Sequence, residues 1–159
     1  MTIQVGDSIP DVNLKVLGEQ GPADVSTSEI FSGKKVVMFA VPGAFTPTCS
    51  AAHLPGYVAN ADKIKAKGID AIVCVSVNDP FVMDAWGKGQ NAEEITMLGD
   101  PAGDLASAMG TELDGTGFGL GKRSSRYSLV AEDGKITVLN LEQGGAFEVS
   151  SAEAILDAL

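Results

Sequence analysis

The stretch Lys35-Val36-Val37-Met38-Phe39-Ala40-Val41-Pro42-Gly43-Ala44-Phe45-Thr46-Pro47-Thr48-Cys49 decides the fold. After the leading lysine, residues 36–41 are apolar and rich in β-branched side chains, the pattern of a buried strand. Pro42-Gly43 stops that strand, because proline has no N–H for a ladder and glycine favours a turn. Beyond residue 48 the period changes. Ala51, Leu54, Val58, Ala61 and Ile64 recur at helical spacing, and Gly68 closes a helix over residues 48–67. Pro55 falls inside this helix and should kink it.

Residues 69–77, Ile-Asp-Ala-Ile-Val-Cys-Val-Ser-Val, read as a second strand. Asn78-Asp79-Pro80 then opens another helix, with Asp79 as its cap. A short strand near 95–98 and a helix near 101–109 follow. Residues 126–131 and 135–141 form a hairpin across Glu132-Asp133-Gly134, a turn signal. Residues 151–158 close the chain as a helix. The order β-α-β-α-β, hairpin, helix predicts an α/β fold with a central mixed sheet flanked by helices on both faces. A thioredoxin-like sandwich fits that order. There is no linker, repeat or low-complexity block, so one domain over residues 1–159 is expected.

The chain has 159 residues, 45% hydrophobic and 20% charged, enough for an ordinary globular core. Eleven Lys and Arg face 21 Asp and Glu, a formal net charge of -10. That balance argues against nucleic acid, whose phosphates demand a basic face, and against an anionic membrane surface. A small neutral substrate remains open. No apolar run approaches the roughly 20 residues of a membrane span. Residues 1–7 carry neither a basic region nor an apolar one, so no secretory signal is expected. With only Arg123 and Arg126, the chain lacks the arginine-rich character of a transit peptide. A cytoplasmic location is expected, unless a cleaved presequence is missing.

Two cysteines, Cys49 and Cys74, do not make a secreted disulfide framework, and one histidine, His53, cannot build a common zinc site alone. No metal or other cofactor is expected. Cys49 falls in the first turn of the helix that follows the buried strand. Free N–H groups and the positive end of the helix dipole point at that turn, so a thiolate is stabilised there. Pro42 and Pro47 stiffen the loop before it. Thr46 is placed to aim its hydroxyl three residues forward, or to act as an ordinary cap. Read alone, Cys49 is either a nucleophile or a small buried residue.

Pro42-Gly43-Ala44-Phe45-Thr46-Pro47-Thr48-Cys49-Ser50 resembles the active-site loop of peroxiredoxins: Pro, three residues, Thr, two residues, Cys. Ala51-Ala52-His53-Leu54-Pro55-Gly56-Tyr57 is similar to the type II, atypical subgroup. So are Val73-Cys74-Val75-Ser76-Val77-Asn78-Asp79-Pro80-Phe81-Val82-Met83 and Gly119-Leu120-Gly121-Lys122-Arg123-Ser124-Ser125-Arg126-Tyr127-Ser128. These ordered segments cover the chain from residue 35 to about 140.

The resemblance implies a thiol-dependent peroxidase acting on hydrogen peroxide and organic hydroperoxides through a Cys49 sulfenic acid. Glutaredoxin with glutathione, or thioredoxin, would recycle it. It implies that Thr46 supplies a hydroxyl, that N–H groups near Gly43 and Cys49 donate to the peroxide, and that Pro42 walls off water. Arg126 would hold the thiolate ionised, while Phe118 lines an apolar mouth or packs in the core. A homodimer is implied. Cys74 is either a resolving cysteine or an inert buried thiol. His53, four residues after Cys49, could share its helix face, but such a pair is not the usual nucleophile–base geometry, and a structural role or subunit contact is expected. Two other readings compete. A Cys-based hydrolase would need a base and an orienting carboxylate. A non-enzymatic thioredoxin-fold sensor or chaperone-like module would leave Pro42, Thr46 and Arg126 idle.

Overall fold

The computed structural model describes residues 2–159. A hairpin of β1 (Asn13–Gly18) and β2 (Gly21–Ser26) leads into the short helix α1 (Thr27–Phe31). The buried strand is β3 (Lys35–Ala40). After the loop, a π-helical turn (Cys49–His53) runs straight into α2 (Leu54–Ala66). Then come β4 (Ala71–Ser76), α3 (Pro80–Gly89), β5 (Thr96–Gly99) and α4 (Asp104–Met109). A small hairpin pairs β6 (Glu112–Asp114) with β7 (Lys122–Ser124), across a loop holding a 3-10 turn (Thr116–Phe118). The main hairpin, β8 (Tyr127–Glu132) and β9 (Lys135–Leu141), precedes α5 (Ala152–Ala158).

The strands form a mixed seven-stranded sheet in the order β2-β1-β5-β4-β3-β8-β9. β3, β4 and β5 are parallel; β8 lies antiparallel against β3. β3 is an interior strand, and its side chains together with Val41 just after it serve two cores. Val37, Phe39 and Val41 pack with residues of α2, α3 and α5; Val36, Met38 and Ala40 pack with residues of α1 and α4. All six are fully buried. Burying each of the larger ones stabilises by roughly 1.5–3 kcal/mol. The α/β sandwich with helices on both faces is therefore the observed fold.

Register places Phe39 beside Cys74 of β4 on one side and Ser128 of β8 on the other. Neighbours in register share a face, so Cys74 points toward the layer of α2. The hairpin turn is the one expected: Asp133 and Gly134 have φ of 49° and 79°, the left-handed pair of a tight hairpin connection.

Pro55 does not break its helix. In an α-helix its ring would press on the carbonyl of Ala51, and its missing N–H would leave that carbonyl unpaired. The chain widens instead. Leu54 N–H bonds the carbonyl of Cys49, five residues back, and α2 begins with Pro55 in its first turn. Over Cys49–His53 the chain thus forms a π turn, a common device at functional sites.

Candidate active site

The loop before the helix is tied on three sides. Thr46 Oγ1 donates to the carbonyl of Gly43 at 2.6 Å, and Ser50 N–H donates to the carbonyl of Thr46 at 2.9 Å. Pro47 therefore occupies the first helical position, where no N–H is needed, and Cys49 sits in the first turn as expected. Ala44 N–H donates to Asn78 Oδ1 at 3.0 Å, and Asn78 Oδ1 also accepts from Ser76 Oγ at 2.6 Å. The carbonyl of Pro42 accepts from Arg123 Nη1 at 3.2 Å, while Arg123 Nε donates to the carbonyl of Leu120 at 2.9 Å. A Cβ on Gly43 would stand 2.8 Å from that Arg123 nitrogen and 3.1 Å from Thr46 Cγ2, so a larger residue there would make the guanidinium shift. Behind the loop, Trp86 Nε1 donates to Ser50 Oγ at 3.0 Å.

The Thr46 expectation needs correction. Its hydroxyl turns back to Gly43 rather than forward to Cys49, so its single proton is committed.

Cys49 is fully buried, and Arg126 Nη2 lies 3.4 Å from its sulfur. Arg126 is itself 4% exposed. Its Nη1 donates to His53 Nδ1 at 2.9 Å, and its guanidinium lies 5.6 Å from the centre of the Phe147 ring, within cation–π range. Arg126 Nε has no hydrogen-bond partner among the described residues. A buried guanidinium with one thiol neighbour and a spare donor is suited to hold a thiolate and a further oxygen.

His53 is fully buried inside the chain, so the expected subunit contact is not its environment. Its Nε2 faces the carbonyl of Ser150 at 3.0 Å. A carbonyl can only accept, so Nε2 carries the proton and Nδ1 is left as the acceptor for Arg126. Burial, then the Arg126 charge, lowers the His53 pKa to about 3. The ring is neutral at physiological pH and turned toward the arginine. It orients the cation and is not a base for Cys49.

Cys74 is fully buried in mid-strand, and burial first, then the nearby Cys49, pushes its thiol well above the usual range. The two cysteines are free thiols in the same core layer. Phe118 is 89% exposed, which excludes the core reading; it stands on the loop that Arg123 ties to Pro42 through Leu120. Among the described residues, no group of three or more His, Cys, Asp and Glu could hold a metal ion.

Comparison with known proteins agrees with this geometry. The Redoxin family model matches residues 4–156. Peroxiredoxin-2D of Arabidopsis thaliana is 50% identical, with 99% of this chain and 98% of the relative covered. The chain belongs to the Redoxin family, among the type II peroxiredoxins. The rice chloroplastic peroxiredoxin-2E-2 is 51% identical over 99% of this chain and 73% of its own length. Reduced Prx3 of Vibrio vulnificus, solved with hydrogen peroxide, superposes with a TM-score of 0.96 at 54% identity, covering 99% of each chain. This peroxiredoxin is a thiol peroxidase with a thioredoxin-like fold.

The sequence singles out Cys49, Arg126 and the Pro42–Thr46 loop, which the structure brings together, but not the residues that hold them in place. Trp86, Phe147 and Ser150 carry no local signal of a site, whereas Asn78 and His53 lie inside segments that resemble the type II subgroup, and His53 is also spaced four residues from Cys49.

Proposed function

We propose that the Cys49 sulfur is the group that attacks the peroxide and that Arg126, in contact with it, positions the substrate and stabilises the charge that develops. The supporting observation is the 3.4 Å contact between Arg126 Nη2 and Cys49 Sγ, with both groups buried. The sulfur attacks the terminal oxygen. An S–O bond forms, the O–O bond breaks, and the electron pair leaves on the inner oxygen, which takes a proton and departs as water or an alcohol. Cys49 becomes a sulfenic acid. Negative charge grows on the departing oxygen, where Arg126 and the N–H groups of the Gly43 loop and the Cys49 turn serve as donors. Pro42 and the ring of Phe147 exclude water. Hydrogen peroxide is one substrate, in line with the solved Vibrio relative, and organic hydroperoxides are another, with Phe118 as apolar surface for the larger group.

An external thiol, from glutathione with glutaredoxin or from thioredoxin, then attacks the Cys49 sulfur and expels water. A second thiol resolves the mixed disulfide and restores the Cys49 thiol. Cys74 is a poor resolving residue in this arrangement, because burial keeps it protonated and β4 holds it in mid-strand. Two chains pair as a homodimer, for which the exposed Phe45, Phe81 and Phe118 supply apolar surface. Two unpaired thiols suit a reducing compartment such as the cytoplasm.

Turnover of hydrogen peroxide by the reduced protein with each reductant in turn tests this reading. Cys49→Ser should abolish turnover, and Arg126→Lys should lower it by about 10²-fold or more. Oxidation of the wild type no faster than a free thiol would favour the sensor reading instead.

A further inference from the structure

Glu142, the residue directly after β9, is 4% exposed, and the proposed chemistry does not use it. One of its carboxylate oxygens, Oε2, accepts four hydrogen bonds: from the N–H of Glu148 at 2.8 Å, of Val149 at 2.8 Å and of Ser150 at 2.9 Å, and from Ser150 Oγ at 2.7 Å. Four donors converging on one oxygen, from a loop with Gly144 and Gly145 at its start, fix the Ser150 peptide in place. The carbonyl of Ser150 accepts from His53 Nε2 at 3.0 Å and from the Tyr57 hydroxyl at 2.9 Å. His53 Nδ1 accepts from Arg126 Nη1, and Arg126 Nη2 reaches Cys49 Sγ. The backbone closes the same circuit, since Glu142 N–H donates to the carbonyl of Arg126 at 3.0 Å.

We infer that Glu142 is a positioning residue for the peroxidase reaction: it fixes Ser150, whose carbonyl anchors the His53 ring that aims Arg126 at Cys49 Sγ. The inference rests on the proposed role of Arg126. Arg126, which can only donate, and the Ser150 carbonyl, which can only accept, both place the His53 proton on Nε2. If the Ser150 carbonyl moves away, that N–H loses its acceptor, the ring is no longer held with Nδ1 facing Arg126, and Arg126 turns from the sulfur. A neutral group of the same shape is a weaker acceptor for this role, because hydrogen bonds to an ionised carboxylate are roughly twice as strong as neutral ones. Although burial works to raise the Glu142 pKa, the hydrogen bonds from Ser150, Val149 and Glu148 outweigh it and hold the group below the usual carboxylate range.

The test combines kinetics with the signal of the single histidine. Oxidation by hydrogen peroxide is followed in wild type, Glu142→Gln, Arg126→Lys and the double variant, with Ser150→Ala as a milder change should Glu142→Gln fold poorly. ¹⁵N spectra of the imidazole report the tautomer. Glu142→Gln should slow oxidation by about tenfold in the wild-type background and by less than twofold beside Arg126→Lys, because the two changes break one chain. Its imidazole should keep the Nε2–H form, with the Nε2 resonance moved from the wild-type position as the bond to the Ser150 carbonyl weakens. Ser150→Ala, which loses one of the four bonds, should fall between. Losses that multiply in the double variant, or an unchanged Nε2 resonance and rate with only a lower melting temperature, would overturn the inference and leave Glu142 as a loop clasp. An Arg126→Lys variant as fast as wild type would instead sink the proposed role of Arg126, while the Nε2 resonance would still report on Glu142.

Discussion

His53 separates two accounts of how the thiol is activated. A base must be able to take a proton, and burial beside Arg126 holds this imidazole neutral, with its pKa lowered to about 3. Glutamine can reproduce both of its bonds, with an N–H for Ser150 and an oxygen for Arg126. His53→Gln should therefore keep the peroxide rate within about threefold of wild type, while His53→Leu, which leaves Arg126 without that acceptor, should lose about tenfold or more. A dead His53→Gln with an intact fold would restore the base. The same residue sets a stability window. The unfolded histidine takes a proton near its ordinary pKa of 6.5, the folded one only near 3, so the unfolded state binds more protons between those values. Stability should fall as pH drops through that range, by on the order of a few kcal/mol in all. Melting temperatures of His53→Gln should show a shallower acid decline than the wild type; equal slopes would contradict the shift.

Among the elements, the π turn carries the most consequence. Pro55 makes an α-helical register costly at the residues that present Cys49 and His53. Pro55→Ala restores an N–H that can bond Ala51 and lets the helix tighten. It should change stability by no more than about 1 kcal/mol, yet slow peroxide oxidation several-fold as Cys49 shifts against Arg126. Unfolding curves and stopped-flow rates measured together decide it, and an unchanged rate would mean that the turn is incidental. At α3, Asp79 Oδ1 accepts from Val82 N–H at 2.8 Å, so Asp79→Ala should cost about 1 kcal/mol in chemical denaturation. That cap was legible in the sequence, as were β3, β4 and the β8–β9 hairpin, because their patterns are local: apolar runs, a capping Asp before Pro80, and Asp133-Gly134 at a turn. β1 and β2 were not. β2 is an edge strand with Pro22 and Asp24 exposed, so its pairing with β1 rather than its own pattern makes it a strand. The π turn was invisible for a related reason, since Pro55 announces a disturbed helix but not how the chain absorbs it.

Taken whole, the molecule gathers its site from segments far apart in sequence. β3 and the loop after it bring Cys49, the residue before β8 is Arg126, and the chain after β9 brings Phe147 and Ser150, so the site forms only when both halves of the sheet are joined. The residues with a local signature could be read in advance, and those that act through tertiary contact could not. Pairing of two chains belongs to this scale too. Sedimentation at micromolar concentration should give a dimer, and Phe118→Asp should weaken it if that exposed ring is part of the contact. The central claim is that Cys49, held by Arg126, reacts with peroxide while Cys74 stands aside. Stopped-flow oxidation of the reduced wild type, Cys49→Ser, Cys74→Ala and Arg126→Lys by hydrogen peroxide tests it most directly. Fast oxidation that vanishes in Cys49→Ser, drops about 10²-fold in Arg126→Lys and persists in Cys74→Ala is the predicted result. Fast oxidation surviving in Cys49→Ser, or a wild type no faster than a free thiol, would contradict it.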